Sequence, residues 1–291
     1  MMPARQDGAL LLMVALLLAT LAALAFGMHR AGSAELRSIN DDYEGRAAAY
    51  VAEAGIAAVR WSSQVNGCKD ASYVNQPFGA GTFTVSAKEN SGRIKITASG
   101  QFNGAERTPE EREVRIYKLY DPKSYDIDDD VKDTTIARQS GPLNTGNLIL
   151  VSNGAHILMS WKLDDVDDDV RVLSATLTLV QASTGSTARR IAVHRVTAPW
   201  DDSATWTRPR AGATWDGGAY NSTVLASASA TSTGPAILNV TGLLDSWAAK
   251  RFPEHGLLLR LLDPDQAATF YSHEASESRR PLLRVVAADK C

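Results

Sequence analysis

The stretch Ala9–Met28, ALLLMVALLLATLAALAFGM, contains no charged residue, and its reading decides how the rest of the chain is understood. At about 1.5 Å per helical residue it measures about 30 Å, the thickness of a bilayer core. Three readings compete for it. A secretory signal peptide has a basic start and a shorter apolar run, whereas this start, MMPARQDG, sets Arg5 against Asp7. The small residues Ala31 to Ala34 would serve as its cleavage site. A plain transmembrane anchor is the second reading. The third follows from what comes next.

Beyond Arg30 no proline interrupts LRSINDDYEGRAAAYVAEAGIAAVRW, and good helix formers continue. Leu36, Ile39, Tyr43, Ala47, Tyr50, Ala54, Ala57 and Trp61 recur at gaps of three and four, which makes one stripe on a helix. A single helix from Ala9 to Trp61 would run about 80 Å. Its first half suits lipid and its second half suits a protein partner.

These residues resemble the type IV pilin superfamily, and within it the PilX-type minor pilins. The resemblance rests on a short polar leader ending in Gly8, an apolar helix starting at Ala9, and the block Ala52-Glu53-Ala54-Gly55. It implies cleavage between Gly8 and Ala9 by a prepilin peptidase, and methylation of the new N-terminus. Two positions depart from the family. Gln6-Asp7 precede the glycine in place of a basic residue, and Met13 stands where the family usually has glutamate. The second departure argues for a minor rather than a major subunit.

Residues 62–118 alternate apolar and polar at Phe83 to Val85, Ile94 to Thr97 and Val114 to Tyr117, with glycines and asparagines between. That predicts a three-strand antiparallel meander cored by the helix stripe. Gly81 to Thr108 also resembles a stretch found in minor pilins and pseudopilins. The two cysteines, Cys68 and Cys291, lack a CxxC spacing, and either one bridge or two free thiols fits them.

From Tyr125 to Val286 at least seven short strands with polar turns predict a sandwich or jelly roll, with one helix at Thr241 to Lys250 capped by Thr241. The ordered set Asp133-Thr134, Asn144, Gly146, Ser174 to Leu177, Val196-Thr197, Trp200, Thr205-Trp206, Pro209, Asn239 to Thr241, Trp247, Gly256 to Arg260, Glu274-Ala275, Arg280-Pro281 and Leu283 resembles the DNRLRE family. Those are jelly-roll domains grouped with carbohydrate-binding modules. Ser160-Trp161-Lys162 departs from that family's basic-aromatic-acidic strand.

The expected fold class is therefore α+β: a long pilin-type helix with a small meander, then an all-β jelly roll. The expected divisions are a leader at 1–8, the transmembrane and amphipathic helix at 9–62, a β region at 63–120, a linker at 121–126 and the sandwich at 127–288. The expected function is a minor, tip-located pilus subunit displaying an adhesive or polysaccharide-binding domain. It would start in the inner membrane and move to the fibre at the cell surface. A secretion pseudopilin and a static membrane-anchored carbohydrate-binding protein are the alternatives.

Sugar recognition needs aromatic rings to stack on pyranose faces and side chains to bond hydroxyls. Trp200, Trp206 and Trp247 read as core. Trp215 and Tyr220, flanking Gly217-Gly218, read as exposed, and Arg260, Glu274, Arg279 and Arg280 as either a ligand patch or ion pairs. Two acidic runs have the D-x-D-x-D spacing of a calcium loop, at Asp126, Asp128, Asp130 and at Asp165, Asp167, Asp169, but neither carries the glycine or glutamate of an EF-hand. No nucleophile elbow, zinc-helix or phosphate-loop motif is present, so no catalytic residue is expected, and calcium at the two acidic runs is the one cofactor left open. A formal net charge of -3 disfavours nucleic acid as a partner. The expected partners are other pilin subunits, the peptidase and polysaccharide.

Overall fold

The computed structural model describes residues 7–108, 112–128, 131–138, 146–163, 166, 170–182, 188–231 and 234–291; inside the first helix, side chains are described only at 18–24 and from 37 onward. The chain divides into two compact units, Met1–Ile116 and Tyr117–Cys291.

In the first unit, helix α1 (Asp7–Val65) precedes strands β1 (Ala71–Phe78), β2 (Gly81–Asn90), β3 (Arg93–Phe102), β4 (Ala105–Arg107) and β5 (Arg112–Arg115). The order is β1-β2-β3-β4, with β5 beside β3. β2 and β3 pair from Gly81↔Phe102 to Asn90↔Arg93, so period-two alternation turns Phe83, Val85, Ala87, Ile94, Ile96 and Ala98 inward. The meander thus has two strands more than expected, β1 and β4.

α1 meets this sheet through small residues. Gly45, Ala48, Ala52, Gly55, Val59, Ser62 and Ser63 are buried at spacings of three and four. The approach is close: a Cβ on Gly55 would fall 2.8 Å from Phe83 Cδ2, and one on Gly100 of β3 would run into the Ala48 carbonyl. The expected stripe is on another face. Ile39, Tyr43, Ala57 and Trp61 are exposed, and Tyr50 is 76% exposed. Glycine and alanine make the closest approach, with Val51, Ile56 and Val59 buried beside them, and the aromatic residues of the stripe lie outside this seam. The packing role given to the stripe is corrected accordingly.

The expected fold class is also corrected. Strands outnumber helical segments sixteen to three among the described residues, and no helix among those residues is long and apolar enough to cross a membrane. The expectation of a membrane span rested on Ala9–Met28. The transmembrane helix, the prepilin character and the inner-membrane-to-fibre location inferred from that stretch lose their support with it. The side chains of Gly8, Ala9 and Met13 lie outside the described ones.

The second unit packs two sheets on one core. One has the order β13-β10-β16-β6: β13 (Ala236–Asn239), β10 (Arg171–Leu179), β16 (Leu282–Ala288) and β6 (Lys123–Ile127). The other runs β12-β11-β14-β9-β8-β15, with β7 beside β9: β12 (Ala226–Ala230), β11 (Arg189–Arg195), β14 (Leu257–Leu261), β9 (Ala155–Trp161), β8 (Asn147–Val151), β15 (Ala267–Tyr271) and β7 (Val131–Ala137). Leu148, Ile157, Met159 and Leu259 from the larger sheet meet Leu177, Leu283 and Val285 from the smaller. Each such side chain contributes about 1.5–3 kcal/mol by leaving water.

Helix α2 (Thr241–Ala248) closes this core with Leu243, Leu244 and Trp247. Its N-cap is Val240, which makes no side-chain cap bond. Thr241 instead donates its hydroxyl to Asn239 Oδ1 at 2.7 Å and accepts the Ala175 N–H at 2.9 Å, tying the helix start to β10. Most of residues 121–126, expected as a linker, belongs to β6, which pairs with β16 from Lys123↔Ala287 to Ile127↔Leu283.

Candidate binding face

The outer face of the larger sheet is covered by residues 196–225, which join β11 to β12. Ile136, Leu158, Val196, Ala204 and Leu258 form a small second core there, with Trp200, Trp215 and Tyr220 packed against it. The covering segment is pinned by its indole N–H groups. Trp200 Nε1 donates to the His255 carbonyl at 2.8 Å, Trp206 Nε1 to Asp216 Oδ1 at 2.6 Å and Trp215 Nε1 to the Thr205 carbonyl at 2.6 Å. Two glycines allow the approach. Gly217 and Gly218 have φ of +70° and +101°, and a Cβ on either would fall within 2.8 Å of Trp206 or Leu258 respectively.

Trp215 and Tyr220 are therefore half-buried anchors, not the open platform that the Gly-Gly loop suggested. Arg260 joins them: its Nη1 donates to Tyr220 Oη at 3.0 Å. Beneath the loop lie two histidines that the sequence did not single out as a site. His156 Nδ1 lies 2.8 Å from the Gly217 carbonyl, and His194 Nδ1 lies 3.0 Å from the Asn221 carbonyl. Tyr220 sits between them, with ring centroids 6.1 Å from His156 and 5.1 Å from His194. Burial lowers the pKa of both imidazoles, and the Arg260 guanidinium adds to the effect. Their signal in the sequence was only an apolar strand pattern interrupted by one histidine each.

The remaining predicted residues lie elsewhere. Glu274 is exposed on the turn after β15, and Arg280 Nε donates to the Ala275 carbonyl at 2.9 Å, so it braces its own loop. Arg279 stands over the Tyr271 ring at 5.0 Å and donates to its hydroxyl at 3.1 Å. His273 pairs with the buried Asp133, its Nδ1 2.8 Å from Oδ1 and its backbone N–H donating to Oδ2 at 2.8 Å.

Asp126, from the first acidic run, is held by Arg284 through a two-pronged contact at 2.6 and 2.7 Å, which keeps its carboxyl below the usual range. Asp130, Asp165, Asp167 and Asp169 lie outside the described residues. No group of three or more metal-ligating side chains occurs among the described residues. Cys68 and Cys291 are each disulfide-bonded.

An open cavity of about 500 Å³ lies where β7 begins and β9 ends, lined by Val131, Lys132, Ser160, Trp161, Lys162, Leu163 and Glu254. Val131, Trp161 and Leu163 give it apolar walls, while two lysines, a serine and a glutamate supply polar groups. Its size falls in the range of small-molecule sites. Ser160-Trp161-Lys162, noted in the sequence only as a departure, supplies three of its walls. No family model and no curated protein matches this chain.

Proposed function

We propose that the chain is an assembly subunit of the minor-pilin kind, which docks on partner helices through α1 and displays its second unit as a polysaccharide-binding domain. The observation that carries this reading is the exposed stripe Ile39, Tyr43, Tyr50 and Trp61, each more than half exposed on one face of α1. A helix that packs only within its own fold turns its large apolar residues inward. Here the inward face carries glycine, alanine and serine together with Val51, Ile56 and Val59, while Ile39 and the aromatic residues are left for another surface. Exposed apolar stripes of this kind mark helix-mediated association. The display half of the proposal draws on the cavity beside Trp161, where apolar walls and hydrogen-bonding groups suit a sugar ring.

The test replaces Tyr50 and Trp61 by aspartate in the full chain and measures co-purification with filament subunits in the producing cells. Loss of incorporation with an unchanged circular dichroism spectrum supports the reading. Retained incorporation by the doubly substituted chain overturns it. Glycan binding by wild-type chains that never enter an assembly would leave a static binding protein.

A further inference from the structure

The cavity at the start of β7 and the end of β9 has an apolar floor and a polar rim. Val131 and Trp161 are register partners across the two strands, and both belong to the core of the second unit, at 5% and 6% exposure. Leu163 packs against the same core. The next pair in the register, Lys132 and Ser160, points to the other face of the sheet by strand alternation. Lys132, Lys162 and Glu254 are exposed, and Ser160 is half-buried.

The wall that carries Glu254 is held by its neighbours. Trp200 Nε1 donates to the His255 carbonyl at 2.8 Å, and the Val196 N–H donates to the Gly256 carbonyl at 3.1 Å. Gly256 has φ of +83°, and a Cβ there would fall 2.9 Å from Ser160 Cβ, so glycine lets this segment lie against β9. Pro253 restricts the chain on the other side of Glu254. A wall set in advance lowers the ordering cost of binding.

Size and aromatic content decide the mode of binding. A polysaccharide held along its length stacks successive rings on open aromatic faces. Trp161 is the single aromatic among the described residues lining this cavity, and at 6% exposure it has no open face to offer. The volume of about 500 Å³ lies in the lower half of the range of about 300–1,000 Å³ for small-molecule sites, room for a sugar or two rather than a polymer segment. The rim offers hydrogen bonds instead. Lys132 and Lys162 are donors, the Ser160 hydroxyl donates and accepts, and the Glu254 carboxylate accepts through both oxygens. Adjacent hydroxyls on one ring suit such a carboxylate. The ring at the non-reducing end of a glycan keeps a hydroxyl that every inner ring has given up to a glycosidic bond.

We infer that this cavity takes the non-reducing end of a glycan chain, with Glu254 accepting from adjacent hydroxyls of the terminal ring and Lys132, Ser160 and Lys162 donating to its oxygens. The inference rests on the polysaccharide-binding role proposed for the second unit and narrows that role from chains to chain ends.

The test uses the full chain on an array of oligosaccharides immobilised through their reducing ends. For each glycan bound, free oligosaccharides of increasing length from the same series compete in solution. The disaccharide is expected to compete within about threefold of the longest chain, and Glu254→Gln to weaken binding about tenfold with an unchanged melting temperature. An oligosaccharide whose terminal non-reducing ring is capped with methyl ethers should not compete. Affinity that climbs with every added ring, or a capped chain that competes as well as an uncapped one, overturns chain-end recognition and leaves polysaccharide binding standing. Wild-type affinity in Glu254→Gln overturns the inference as well. If no glycan on the array is bound, the display half of the proposed function falls, and this inference with it.

Discussion

Gly55 of α1 faces the ring of Phe83 on β2 so closely that a Cβ at residue 55 would lie 2.8 Å from Cδ2 and 3.0 Å from Cγ. Real Cβ atoms do not approach so near, and a phenyl ring enclosed by a helix and a sheet has little room to yield. Gly55→Val is therefore expected to destabilise the first unit by about 1–3 kcal/mol, by forcing the helix off the sheet. On the opposite face, Tyr50→Ser should change stability by no more than about 0.5 kcal/mol. Urea midpoints of the two variants decide between this arrangement and one in which Tyr50 packs inward.

That contrast also explains what was legible in the sequence. Period-two alternation marked β2 and β3, where apolar residues face a core on alternate positions, and short strands between polar turns marked β8, β10 and β14. The helical period of α1 was equally visible, but its inward face was not. Choosing a face by the size of its side chains selected Ile39, Tyr43, Tyr50 and Trp61, whereas the tight contact selects Ala48, Ala52 and Gly55. β12, with the sequence ASASA, has no β-branched or aromatic residue to announce it. The Gly217-Gly218 turn was read as an exposed tip, yet its positive φ angles serve to bring backbone against Trp206 and Leu258. The cavity beside Trp161 joins residues on β7 and β9 to Glu254, before β14, which no local pattern connects.

Arg284 holds Asp126 in a two-pronged ion pair across β16 and β6, at paired positions of the register. Lysine cannot reproduce that fork. Arg284→Lys should raise the Asp126 carboxyl toward its ordinary value, which NMR titration of Asp126 can follow. Asp126 is held low first by its hydrogen bond to Arg284, so its contribution is present above about pH 4 and fades as pH falls through the folded value. With this carboxylate engaged by a guanidinium, calcium addition should leave the wild-type melting temperature unchanged. A rise of several degrees on adding calcium would show that the cation displaces Arg284.

Both cysteines are in the disulfide-bonded state, so neither thiol is available to an alkylating reagent. Iodoacetamide added to the unfolded, unreduced chain should leave its mass unchanged, and after reduction both Cys68 and Cys291 should be modified. Labelling without reductant would show free thiols instead.

Asp133 is the clearest pH-sensitive group in the second unit, because it is 4% exposed and bonded twice to His273. Burial raises its carboxyl above the ordinary value of 3.8, while the two His273 hydrogen bonds pull the other way and only partly offset it. A carboxyl raised on folding binds its proton more firmly in the native state than in the unfolded chain. Its ionisation therefore costs stability as pH climbs from about 4 through the folded value, and the cost stays constant above that. Asp133→Asn removes the titration and keeps an oxygen to accept from His273. The difference in unfolding free energy between wild type and this variant should shift against wild type as pH rises from 4, as read from urea midpoints at several pH values. Asp133→Ala, by contrast, leaves the His273 backbone N–H without its acceptor and should cost about 1–3 kcal/mol near neutral pH. If wild type gains on the Asn variant with rising pH, the carboxyl is lowered on folding, and the His273 bonds outweigh the burial.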